Sequence, residues 1–541
     1  MAQTPRRNLP LTVLPSGADR LSQLLGPADR LLHPLTALVV AILLWIPLAL
    51  LTGRWLAMAW CGWSLVLLST ALWLERPWIN RLPLPPLTVI TLAGFQRWGL
   101  GAFLLALAGE RVSSQVLPWS RALEPSQALW GVVSTAIVAV ALLNRPLLRR
   151  LDPAPLGGAL RRRLPFLVLL LAVYSVGYLL VGVISGTLDR SNTNYVHWTV
   201  RLWRADTLFV PFLRLRDLFP LLVPLGIQVC VGPWPTEAGE ARPRRWLAPA
   251  LVLLLLVSLV LGGLTGGRGL LLGPLLMLLF GLWMTSIPPR MIRWLVAGFL
   301  VFALAFIPLM GALRDTAAFQ STLSQRPLER LELIARSAMN ARPQPETLSV
   351  IGRDLFPSSD PYLFQPPGSE QPPAGWKRLH GLLFLWVPKH LYPNRPEIND
   401  GHLIAKEIMG KPEFGTVNGK HVWFPNVSFG GDLYWRFRKG GVVIGALLFA
   451  AVYAALCRVW YSCASLSGSL LAFLIALYPA TFLNGLPLRS VSETAWNWLW
   501  EFPKYLLILL LLAWVVDRFH PLLLRHPQGP GGQLTSRVTP D

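Results

Sequence analysis

The sequence predicts an all-α polytopic membrane protein that crosses a bilayer about twelve times, with one large polar loop between the ninth and tenth crossings. Three observations carry that expectation. Hydrophobic residues make up 53% of the 541-residue chain and charged residues only 14%, whereas a soluble domain is about a quarter charged. Mean hydropathy is +0.48. About a dozen windows approach the roughly 20 apolar residues that a spanning helix needs.

Residues 1–34 form a polar N-terminal segment without the short apolar core and small-residue site of a cleavable signal, so none is expected. Nine spans are then expected within 35–312, at 35–52, 56–74, 87–108, 126–143, 165–185, 213–232, 246–263, 269–286 and 292–312. The third holds Arg97 at mid-depth, and the sixth opens on Arg214, Arg216 and Asp217, so these two are the least apolar. The large loop covers 313–439. Three more spans, 440–457, 467–487 and 498–516, fill 440–516, and the tail 517–541 ends in a Gly- and Pro-rich stretch that reads as disordered.

The formal net charge is +22. It is spread through short loops between apolar runs, where cations orient helices and meet anionic headgroups, so it does not mark a nucleic-acid binder. Arg6, Arg7, Arg20 and Arg30 precede the first span. Arg145, Arg149, Arg150, Arg161, Arg162 and Arg163 follow the fourth, and Arg242, Arg244, Arg245, Arg290, Arg293, Arg518 and Arg525 fall on the same side under alternate crossing. The positive-inside bias therefore puts both termini in the cytoplasm. The four cysteines (Cys61, Cys230, Cys457, Cys463) lie in or beside apolar spans, which argues against a disulfide framework. No Cys/His spacing resembles a metal site, and no phosphate-cradling GxxxxGK(S/T) loop is present. Neither a metal nor a cofactor is implied.

On the outer face this topology leaves the segment YVHWTVRLWRADTLF, the turn TGGRG around Arg268, the large loop, and LPLRSVSETAWN. Arg268 is flanked by glycines that let backbone approach a ligand, and its guanidinium suits phosphate, or it snorkels to headgroups. Arg314 is the first charge after span nine, a second phosphate ligand or a helix-end anchor. Glu501 and Lys504, three apart, suit a local ion pair. The loop's possible proton acceptors are His380, His390, His402, His421, Glu397, Asp400, Glu407, Glu413 and Asp432. Its aromatics, Trp376, Trp386, Tyr392, Trp423, Phe424, Tyr434 and Trp435, offer faces for stacking on sugars or form an interfacial belt.

Two motifs then stand out. VPKHLYPNRP resembles the (I/V)PRxLWPxKP segment of the late periplasmic loop in Wzy-type O-antigen or oligosaccharide repeat-unit polymerases. Its matching positions are Pro388, Lys389, Leu391, Tyr392, Pro393, Arg395 and Pro396. GGDLYWRFRKGGVVIG resembles that family's GExYxNFGxxGVxxG, through Gly431, Asp432, Tyr434, Phe437, Gly441 and Gly445. Here Asp432 replaces Glu, Arg436 replaces Asn, Arg438 replaces Gly, and Lys389 replaces Arg. The TGGRG turn is similar to a Gly-Ser-Arg turn of the family and aligns Arg268.

The resemblance implies a membrane glycosyltransferase of the bacterial inner membrane with its active site in a large periplasmic loop. Its partners would be undecaprenyl-diphosphate-linked oligosaccharides, membrane lipids and a chain-length regulator. A hydroxyl of one lipid-linked unit attacks the anomeric carbon of the chain on another, and undecaprenyl diphosphate leaves. Under it, Arg268, Arg314, Lys389 and Arg395 are assigned to the diphosphate, Asp432 or His402 to the base, and Tyr392, Tyr434 and Arg436 to the glycan. Two alternatives stay open. One is an O-antigen ligase, which passes glycan to lipid A core. The other is a transporter of lipid-linked sugars, although such proteins usually show paired repeats rather than one external loop.

Overall fold

The computed structural model describes residues 33–78, 85–108, 119–145, 163–173, 427–466, 469–477 and 489–524, and shorter pieces between 291 and 421. Among the latter are 360–364, 372–377, 379–384, 391–392 and 404–408. The described chain is helical apart from one two-residue antiparallel ladder, β1 (Thr416–Val417) with β2 (Lys420–His421). Among the described residues, six helices are long and apolar enough to cross a membrane. This is a multi-pass helical membrane protein.

The helices begin and end where local chemistry allows. Helix α1 (Pro34–Thr52) starts with Pro34 in its first turn, where a missing N–H costs nothing, and closes on Gly53 in the left-handed region at φ 67°. Helix α2 (Trp55–Glu75) returns. Helix α3 (Pro86–Ala108) again opens on proline and contains a π-helical stretch, Phe95–Gly101. That stretch includes Arg97, so the third expected span is present despite its charge. A π turn frees carbonyls that lipid cannot satisfy. Gln127 Nε2 donates to the Trp98 carbonyl at 2.7 Å, and Cys61 Sγ lies 3.2 Å from the Gly99 carbonyl. Helix α4 (Trp119–Leu143) supplies that glutamine, and the shorter α5 is Arg163–Val173.

Helix α6 (Phe429–Ala464) is 36 residues long and packs along α4. It begins eleven positions before the span expected at 440–457, because its polar first turns are buried in protein rather than facing lipid. After α7 (Leu470–Leu477), α8 (Val491–Trp496) runs through a π turn at Asn497–Glu501 into α9 (Phe502–Leu524). The expected spans at 213–232, 246–263 and 269–286, and most of that at 292–312, lie outside the described residues.

Polar pairs sort the helix ends into two layers. In one layer the Arg145 guanidinium stands 3.9 Å over the Trp73 ring, His33 meets the same ring edge-on at 5.8 Å, and Arg163 pairs with Asp517 at 3.1 Å. Tyr461 donates to Glu75, Tyr453 to the Pro86 carbonyl, and Arg458 to Asn144. Glu75 also accepts the Leu87 and Thr88 N–H groups at 2.9 and 2.6 Å, capping α3. The starts of α4, α6 and α8 meet in the opposite layer, together with the loop pieces. Between the layers runs a core that includes Trp98, Trp130, Phe449, Tyr453 and Trp460.

Candidate functional site

The loop is tied to the helix starts by two buried carboxylates. Ser428 caps α6, accepting the Gly431 N–H at 2.9 Å, and this sets Asp432 one turn inside the helix. Arg436, one turn further on, donates its Nε to both Asp432 oxygens at 3.0 and 3.1 Å. Asp432 Oδ2 also accepts the Val491 N–H at 2.7 Å. Arg436 Nη1 reaches the carbonyls of Gly375 at 3.2 Å and Lys377 at 2.7 Å. The Ala374 and Gly375 N–H groups donate in return to the carbonyls of Trp435 and Arg436. One ion pair thus joins α6, the start of α8 and the 372–377 piece.

This placement bears on two expected site residues. Asp432 is 0% exposed and Arg436 is 1% exposed. The Asp432 carboxylate, bound on both oxygens and closed to solvent, ties α6 to the start of α8. The Arg436 guanidinium is held by a carboxylate and two loop carbonyls.

Sequence reasoning missed the second carboxylate. Asp360 Oδ2 accepts hydroxyl protons from Ser126 of α4 at 2.5 Å and Ser428 at 2.6 Å, and its Oδ1 accepts the Ser428 N–H at 2.7 Å. Trp98 Nε1 extends the chain to Ser126 at 3.4 Å. Burial pushes the Asp360 carboxyl above its ordinary value of 3.8, and the donated hydrogen bonds from Ser126 and Ser428 oppose that rise. The only signal in the sequence was an Asp before Pro in a serine-rich stretch, which marks a turn and names no partner.

Around these anchors the loop has a small core of its own, Leu363, Ala374, Ile404, Ile408, Val427 and Trp435. Trp435 is 1% exposed, so it is neither a belt residue nor a sugar platform. Tyr434 is half-buried, lies 5.5 Å from the Phe364 ring and has the Arg438 guanidinium 5.6 Å from its own. Tyr392, in contact with Phe384, and Trp376, edge-on to Phe437, keep exposed faces.

The motif residues have physical reasons. A Cβ at Gly431 would sit 2.7 Å from Asp360 Oδ1, and one at Gly441 would sit 2.0 Å from Phe437 Cβ. Phe437 folds over Gly441 because α6 breaks at Arg438, with φ 58° and ψ −161°. Only glycine adopts that conformation without strain. Arg438 occupies the position where the resembled motif has Gly.

Arg268, Arg314, Lys389, Arg395 and His402 lie outside the described residues, as do the side chains of Glu501 and Lys504. Among the described residues no three His, Cys, Asp or Glu side chains converge as a metal site would require. No protein-family model matches the chain, and neither a curated protein nor a solved structure matches it.

Proposed function

We propose that this protein polymerises undecaprenyl-diphosphate-linked oligosaccharide repeat units into O-antigen or a related surface polysaccharide at the periplasmic face of the bacterial inner membrane. In this reading all twelve expected spans cross the bilayer, both termini are cytoplasmic, and the layer holding Asp360 and Asp432 faces the periplasm. The observation that carries it is the corner just described. Loop pieces are fastened to the starts of membrane helices, the Arg438 guanidinium stands 5.6 Å from the Tyr434 ring, and Trp376 and Tyr392 keep exposed faces. Flat apolar faces next to cations at a bilayer edge suit a ligand that is part sugar and part lipid phosphate.

The reaction needs three things. The acceptor hydroxyl gives its proton to a base as its oxygen bonds the anomeric carbon of the donor. The bond from that carbon to the diphosphate oxygen breaks, and the electron pair leaves with undecaprenyl diphosphate. Fixed cations stabilise the charge that develops there, a role we assign to Arg268, Arg314, Lys389 and Arg395. Of the two candidate bases we assign His402, because both Asp432 oxygens are committed to Arg436 and Val491. Tyr392 and Tyr434 line the glycan path.

The test is the chain-length distribution made in cells carrying Arg268→Ala or His402→Ala at wild-type membrane abundance. Each variant should leave single repeats and no long chains. Wild-type lengths in both would sink the assignment, and single repeats that also fail to reach the periplasm would favour a transporter.

A further inference from the structure

Helix α6 passes from protein into lipid at its break. Before Arg438 its first two turns are mostly buried, whereas beyond it Ile444 and Leu448 are 63% and 64% exposed. Gly441, Ile444 and Leu448 stand at i, i+3 and i+7 of the regular helix past the break, so they share one face. Phe437 is folded over Gly441, and the Trp376 ring meets Phe437 edge-on at 5.2 Å. Trp376 thus stands at the head of a stripe of lipid-facing side chains.

A tight turn holds the tryptophan there. The Lys377 N–H closes onto the Ala374 carbonyl at 3.1 Å, with Gly375 at the second position of the turn and φ 54°. A positive φ at that position suits glycine, and it leaves Trp376 at the tip. The Ala374 and Gly375 N–H groups are bonded to the Trp435 and Arg436 carbonyls, just ahead of the break. The turn is therefore pinned to α6 on its backbone side, yet the Trp376 side of it is 75% exposed.

The depth of this tip says what covers it. From Gly441 to Ile444 the helix rises about 4.5 Å, and the headgroup region of one leaflet is roughly 5–8 Å deep. Trp376 falls at headgroup level, where an indole keeps its ring in apolar surroundings and its N–H wet. Lys439, exposed on the same stretch of α6, adds a cation at the level of the lipid phosphates. We infer that Trp376 is a bilayer anchor, its ring set among the phospholipid headgroups of the leaflet that α6 enters. With Lys439 it holds the loop at a fixed height above the membrane. This assigns Trp376 to lipid, leaves Tyr392 and Tyr434 to the proposed glycan path, and does not depend on the proposed reaction.

The test places the photoreactive residue p-benzoylphenylalanine at position 376 of the full-length protein. The protein is held in nanodiscs of phosphatidylglycerol and phosphatidylcholine with lipid-linked repeat units added. The same residue at position 444 serves as the lipid-facing reference. After irradiation, phospholipid should be the main adduct at both positions, read by mass. A glycan or protein adduct as the main product at 376, or none there while 444 reacts, overturns the anchor. Hydrogen exchange on Trp376→Ser gives a second reading if the photoreactive variant does not fold. The Ala374 and Gly375 amides should exchange about tenfold faster than in wild type in nanodiscs, the effect of losing one large interfacial side chain. In lipid-free amphipol the two proteins should exchange alike. An unchanged rate in nanodiscs, or the same acceleration in amphipol, means that Trp376 serves only its contact with Phe437 and overturns the inference.

Discussion

At the residue scale, Asp432 and Arg436 form a buried ion pair whose members have no solvent to fall back on. Removing one partner leaves an uncompensated charge, so Asp432→Ala or Arg436→Ala should each destabilise the protein by about 3–5 kcal/mol. Replacing both together by apolar residues should cost less than either alone. Thermal unfolding in detergent of the two single variants and the double variant checks this. Arg438 works in the opposite direction. Its backbone sits where non-glycine residues are strained, so Arg438→Gly should raise stability by about 1 kcal/mol, read as an upward shift of the same transition. The motif glycines were legible in the sequence as positions, and the departure at Arg438 was visible too. That Asp432 would be locked inside was not, because the ion pair's role depends on distant partners, Val491 for Asp432 at 59 positions and Gly375 for Arg436 at 61.

At the scale of elements, α6 is set by what caps it. Ser428 accepts the Gly431 N–H at the start of α6, and Ser490 accepts the Glu493 N–H at the start of α8. Hydropathy alone placed the start of α6 at 440, since DLYWRFRK is polar. It is helical because Asp360, Arg436 and the 372–377 piece satisfy it. Asp360→Ala should leave three donors unsatisfied and cost about 2–3 kcal/mol, whereas Asp360→Asn should cost less by keeping one acceptor. The same carboxyl predicts a pH dependence. Its folded value lies above the ordinary 3.8, so the folded state holds the extra proton in the window between them. Its contribution is full below that window and declines as pH rises through it. Unfolding measured across mildly acid pH should show this slope in the wild type and lose it in Asp360→Asn. Gly431→Ala, whose methyl would press on Asp360 and Val427, should cost about 2 kcal/mol in the same measurement.

At the scale of the molecule, the ends of the described helices fall into two layers. Asn144, Arg145, Glu75, Tyr461 and Asp517 gather in one layer, while Ser126, Asp360, Ser428 and Val491 gather in the other. The apolar helices were legible because apolar length acts on whole helices. The joining of loop to helix was not, since it depends on single contacts between Asp360 and Ser126, 234 positions apart. The account's central claim is that this corner serves glycan polymerisation, and it is tested most directly by incubating purified protein in detergent with lipid-linked repeat units and reading product masses. The account predicts a ladder of lipid-linked oligomers with undecaprenyl diphosphate released. Transfer only onto added lipid A core, or no product from folded protein, would contradict it.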